Sequence, residues 1–161
     1  MTVAIYAGTF DPITNGHIDI ATRAARLFDR ITIAIAENPY KEPFFALEER
    51  LELARKALDG LPNVEVEAYD GLTVDFARKV GAKVMVRGLR MSADFEREFE
   101  MAMMNRKLDP DLELICFMAS QEYQFLSSSL LKEVASLKGD ISCLVPEHVA
   151  EAIKRKVVVK E

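Results

Sequence analysis

Short aliphatic and β-branched runs alternate with segments whose apolar residues recur every three or four positions along nearly the whole chain. The first kind of run marks a buried strand and the second an amphipathic helix. Strands are therefore expected at residues 3–7, 31–36, 64–69, 84–87 and 112–118. A first helix follows from His17, with Ile18, Ala21, Ala25 and Phe28 at helical steps. The second carries Leu47, Leu51, Ala54 and Leu58 on one face and stops near Gly60-Leu61-Pro62, where glycine and proline supply the ending. A third is expected over 73–80, closed by Gly81, and a fourth over 92–107. The fourth has Glu96, Arg97, Glu98 and Glu100 on a charged side and Phe95, Phe99, Ala102 and Met103 on the other, its methionines read as packing. Ser127-Ser128-Ser129 start a fifth helix, serine being a favoured N-cap, and residues 146–156 form a last one. The pattern gives the Val157-Val158-Val159 tail no role.

Strands and helices in strict alternation define the fold class: α/β, a single-domain, Rossmann-like, doubly wound sheet of five parallel strands with helices on both faces. With 161 residues, half of them apolar, the chain fits one domain, residues 1–161, with a substantial core. A net charge of −5 argues against a nucleic-acid partner, whose phosphates are bound by clustered Lys and Arg. No apolar run is long enough to span a bilayer and no basic segment with an apolar signal core opens the chain, so a cytoplasmic location is expected and no membrane partner. Cys116 and Cys143 stand far apart, without zinc-ligand spacing, and are expected as two reduced, buried thiols.

In an open parallel sheet, ligands bind beyond the carboxyl ends of the strands, and chemistry-bearing residues recur there in this chain. Gly8-Thr9-Phe10-Asp11-Pro12-Ile13-Thr14-Asn15-Gly16-His17 follows the first strand, placing a hydroxyl, a glycine and a histidine at a helix start suited to a phosphate. Gly16 leaves room for close approach of a ligand, and Asp11, ahead of Pro12, is expected to organise its own turn. Lys41, beside Asn38-Pro39-Tyr40, sits in the polar connection after the second strand, and Gly71-Leu72-Thr73 follows the third. After the fourth come Arg87-Gly88-Leu89-Arg90, two guanidiniums able to fork phosphate oxygens. A surface salt bridge would account for Arg90 but poorly for Arg87. The serines follow the fifth. Against this stand the plainer readings: a solvated Lys41, a solvated Glu98, one serine as a simple cap, and His17 as a capping histidine.

The run from Gly8 to His17 resembles the first signature of the nucleotidylyltransferases, and in its long form that of the phosphopantetheine adenylyltransferase family of coenzyme A synthesis. Residues 122–129, Glu-Tyr-Gln-Phe-Leu-Ser-Ser-Ser, resemble that family's second nucleotide signature. The likeness runs from Tyr6 to about Pro146, with Tyr123 where the family commonly has Trp, Gln121 where it often has Lys, and Ala7 where it often has Pro.

The resemblance implies adenylyl transfer from ATP, carried with Mg²⁺, to 4′-phosphopantetheine, giving dephospho-coenzyme A and pyrophosphate by direct in-line displacement with no covalent enzyme intermediate. It implies catalytic roles for His17, Thr9, Lys41 and Arg90. Nucleotide contacts fall on Thr9, Phe10, His17, Gly88, Leu89, Arg90, Glu98, Tyr123, Gln124, Phe125, Leu126, Ser127, Ser128 and Ser129, and acceptor contacts on Thr9, Lys41, Thr73 and Arg87. A homohexamer and feedback inhibition by coenzyme A are further implications. Rival readings are transfer to nicotinamide mononucleotide or a phosphorylated alcohol, a dinucleotide-dependent oxidoreductase, an aminoacyl-tRNA synthetase and a non-catalytic nucleotide sensor. The oxidoreductase lacks its Gly-x-Gly-x-x-Gly turn here, and the synthetase would need a longer, less acidic chain.

Overall fold

The computed structural model describes residues 1–38 and 40–159, the side chain of Val159 aside; Pro39, Lys160 and Glu161 lie outside the described residues. Its strands are β1 (Val3–Gly8), β2 (Arg30–Ala36), β3 (Val64–Tyr69), β4 (Val84–Leu89) and β5 (Glu113–Met118). The helices are α1 (Asn15–Ala25), α2 (Leu47–Ala57), α3 (Thr73–Val80), α4 (Ser92–Leu108), α5 (Ser128–Ser136) and α6 (Glu147–Val159). All five strands pair in parallel in the order β3-β2-β1-β4-β5. The order reverses at β1, so the loops after β1 and β4 flank the switch point where such sheets open a crevice.

Alternation along the central strands divides the core in two. Ala4, Tyr6, Ile31, Ile33, Ile35 and Val86 join side chains of α1, α2, α5 and α6 on one face. Val3, Ile5, Ala7, Ala34 and Met85 meet Val74, Phe76 and Ala77 of α3 on the other. The expected elements are all present, with boundary shifts that have local causes. α1 begins at Asn15 because Thr14 caps it, its hydroxyl accepting the His17 N–H at 3.4 Å. Ser127 is the N-cap of α5, accepting from Leu130, so the plain reading of one serine holds, and the Ser128 hydroxyl donates to the Pro12 carbonyl at 2.9 Å. The valine tail continues α6 through its last turn, and a short 3₁₀ helix, Gln121–Tyr123, stands where the sequence showed only a loop.

Three expectations about side-chain placement are corrected. The apolar side of α4 is not packed: Phe95 and Phe99 are 57% and 56% exposed, Met103 and Met104 stand open too, and the buried residue of that helix is Glu98. Neither cysteine is fully buried; Cys116 is half-buried and Cys143 exposed. Asp11 is buried, but its carboxylate reaches across to the connection after β2, accepting the N–H groups of Phe44 and Phe45 at 2.7 and 2.8 Å.

Candidate active site

A cleft of about 700 Å³ opens beyond the carboxyl ends of the strands. Thr9, Phe10, His17, Lys41, Thr73, Arg87, Gly88, Arg90, Glu98, Tyr123, Leu126, Ser127, Ser128 and Ser129 all line it, although they come from separate segments of the chain. Leu89, Gln124 and Phe125 are not among the lining residues. The N-termini of α1 and α5 both open on the cleft, Gly16 and His17 at one and the three serines at the other, presenting backbone N–H groups to an anion. A Cβ on Gly16 would touch Thr14, Tyr123 and Leu126 at 3.4–3.8 Å, filling the gap between the two.

His17 is fixed from behind. The Thr14 backbone N–H donates to its Nδ1 at 3.0 Å, which puts the proton of the neutral ring on Nε2. Phe10, at a left-handed φ of 47° with a buried ring, packs on the imidazole at a centroid distance of 4.8 Å. Burial first, then the nearby Arg90 and Arg87, lowers the His17 pKa to about 4. The histidine therefore caps a helix, as the plainer reading has it, and its neutral ring also lines the cleft.

Arg87 and Arg90 form the positive wall. Arg87 lines the cleft, pairs with the buried Glu98 at 2.7 Å and donates to the Ala7 carbonyl, so its ion pair lies in the crevice and not on the surface, and the plainer reading of a solvated Glu98 does not hold. Arg90 pairs with Asp94 at 3.2 Å and donates to the Leu126 carbonyl at 2.9 Å, fastening the loop after β4 to the serine segment. On the far side, exposed Lys41 lines the cleft and Thr73 shares a hydrogen bond with the Tyr69 hydroxyl at 2.9 Å. Pro39, beside Asn38 and Tyr40, falls outside the described residues.

Several cleft residues were not singled out from the sequence. Lys132 lies one turn beyond Ser129 on α5, lines the cleft and reaches Asp11 at 3.5 Å; its three-residue spacing from a serine on a helix start was a readable signal. Asp94, four residues after Arg90, was another. Asp19, which pairs with Arg23 four residues on at 3.2 Å, carried the same local signal, whereas its bond from Ser120 at 2.7 Å joins residues distant in sequence; Met101 and Asn105 on α4 also line the cleft. Among the described residues no group of three His, Cys, Asp or Glu could hold a metal ion.

Residues 5–134 match the family model described as cytidylyltransferase-like, and with the cleft at the switch point this defines the chain as a nucleotidyltransferase. A solved structure described as a nicotinate-nucleotide adenylyltransferase from Vibrio parahaemolyticus superposes with a TM-score of 0.74 over 100% of this chain and 97% of that one, at 18% identity, a likeness of fold. Curated proteins named phosphopantetheine adenylyltransferase are far more similar in sequence. That of Roseiflexus sp. (strain RS-1) is 52% identical over 96% of this chain and 97% of its own length. That of Thermomicrobium roseum is 54% identical over 95% and 93%, and that of Alkaliphilus metalliredigens 50% over 97% and 99%. The chain belongs to the phosphopantetheine adenylyltransferase family.

Proposed function

We propose that the protein joins ATP to 4′-phosphopantetheine, forming dephospho-coenzyme A and releasing pyrophosphate. The observation that carries this reading is a single cleft in which two helix N-termini, a neutral histidine donor and several cations converge from separate loops. The reaction needs no side-chain nucleophile, because the acceptor brings its own phosphate oxygen. That oxygen attacks the α-phosphorus, the bond from the α-phosphorus to the bridging oxygen breaks, and pyrophosphate leaves with the electron pair.

Each residue then has a role. His17 Nε2–H stabilises the charge gathering on the α-phosphate, and Thr9 orients the attacking phosphate beside it. Lys41 and Arg87 hold the acceptor phosphate, with Thr73 at the same end. Arg90, the serines and Lys132 hold the departing pyrophosphate. Gly88, Glu98 and the 123–126 segment border the nucleoside. ATP enters as its Mg²⁺ complex, the ion carried by phosphate oxygens and water. Inversion of configuration at an α-phosphorothioate of ATP is expected for one displacement; retention would require a covalent intermediate.

The proposed assembly is a homohexamer, located in the cytoplasm and inhibited by coenzyme A in the same cleft. Support for the assembly is the open apolar side of α4, together with Met118, which is 75% exposed on edge strand β5. Sedimentation at six times the chain mass is expected, and a monomer would contradict it. Among the described residues no helix is long and apolar enough to cross a membrane.

A further inference from the structure

Arg50, on the first turns of α2, is 3% exposed, yet no carboxylate pairs with it among the described residues. The partners of its guanidinium are carbonyls: Nε donates to Phe45 at 3.2 Å, and Nη1 to Thr9 at 2.9 Å and Ala36 at 3.0 Å. Burying a cation without a counter-charge is strongly unfavourable, and an apolar side chain would fill the space without that penalty. Packing therefore does not explain an arginine here.

The three carbonyls do. Ala36 ends β2 and Phe45 precedes α2, so they bracket the connection that carries Lys41; Thr9 belongs to the turn before His17. We infer that Arg50 is a positioning residue for adenylyl transfer, locking the Thr9–Phe10 peptide and both ends of the Lys41 connection into one rigid unit. The inference rests on the proposed function. Because a trans peptide points its carbonyl and N–H in opposite directions, holding the Thr9 carbonyl on the Arg50 side turns the Phe10 N–H to the other side. That N–H has no protein partner among the described residues, and both Thr9 and Phe10 line the cleft. Arg50 thereby sets a backbone donor for the reacting phosphates and fixes its distance from the acceptor lysine.

The test compares Arg50→Lys and Arg50→Ala with the wild type in three readouts: kcat, the KM for the acceptor and the dissociation constant for ATP. Each is corrected for the folded fraction from a thermal melt. Loss of one oriented donor predicts a kcat roughly 100-fold lower in Arg50→Ala and a partial loss in Arg50→Lys, which keeps the charge but not the planar fork. ATP affinity is expected to change by less than about threefold, and millimolar guanidinium chloride, unlike equal sodium chloride, to restore part of the Arg50→Ala rate. An unchanged kcat per folded molecule, or failure of both variants to fold, would overturn the inference by showing Arg50 to serve the fold alone. Wild-type inactivity toward 4′-phosphopantetheine would overturn the proposed reaction instead, and is seen before any substitution is made.

Discussion

Glu98 Oε1 lies 2.7 Å from Nη2 of Arg87 and 2.9 Å from its Nε, a fork that neutralises the arginine in the cleft while holding its plane fixed. The pair explains why one glutamate on a charged helix side is buried at 7% exposure: it is the residue of α4 that turns toward the cation at the end of β4. Glu98→Ala leaves a half-buried guanidinium without its partner, and about 2 kcal/mol of stability should be lost, less than for a fully buried pair because Arg87 keeps some solvent. The KM for the acceptor should rise with it, and Glu98→Gln should preserve most of both. Denaturant melts and acceptor kinetics check this; an Ala variant as stable as wild type would contradict it.

His17 should remain neutral through the whole physiological range. Its folded pKa is about 4, against about 6.5 in an unfolded chain. Between those values the unfolded state binds more protons, so stability is lost as the pH falls from about 6.5 toward about 4 and is insensitive to this group above that window. Nitrogen NMR of the imidazole should show a protonated Nε2 and a bare Nδ1 at pH values near 6. A ring titrating near its ordinary value in the free protein would refute the assignment.

Lys41 is exposed on the connection after β2, so its removal should leave the fold intact. Lys41→Ala should raise the KM for the acceptor by roughly thirtyfold, the worth of one charged hydrogen bond of about 2 kcal/mol, with ATP affinity nearly unchanged. Equal losses for both ligands would remove Lys41 from the acceptor end.

Asp11 joins the first turn to the Lys41 connection. Each carboxylate oxygen accepts one N–H, from Phe44 and Phe45, and Lys132 approaches from α5. Asp11→Asn replaces one acceptor with a donor facing an N–H, so about 1–3 kcal/mol of stability should be lost. Hydrogen exchange at Phe44 and Phe45 should quicken in that variant; unchanged protection would show that the carboxylate is not what holds them.

The fold was legible because each strand and helix carries its own periodicity, and a parallel alternating order leaves few topologies to choose among. The loops at the strand ends were legible for the same reason: Thr9, His17, Lys41, Arg87, Arg90 and the serines follow recognisable elements. What the sequence hid were the pairings. Asp11 meets residues more than thirty positions away, Arg50 joins Thr9 across 41, and no local pattern records either. The α4 face differs from expectation for another reason. Helical spacing identifies Phe95, Phe99 and Met103 as one side of a helix but does not say whether the chain's own core or something else covers that side.

Pyrophosphate release from ATP and Mg²⁺ tests the central reading most directly, run in parallel with 4′-phosphopantetheine, with nicotinamide mononucleotide and with no acceptor. Release with 4′-phosphopantetheine alone, stoichiometric with dephospho-coenzyme A, is the predicted result. Release with the mononucleotide instead would reassign Lys41 and Arg87, and silence with every acceptor would contradict the enzyme reading and leave a nucleotide-binding protein.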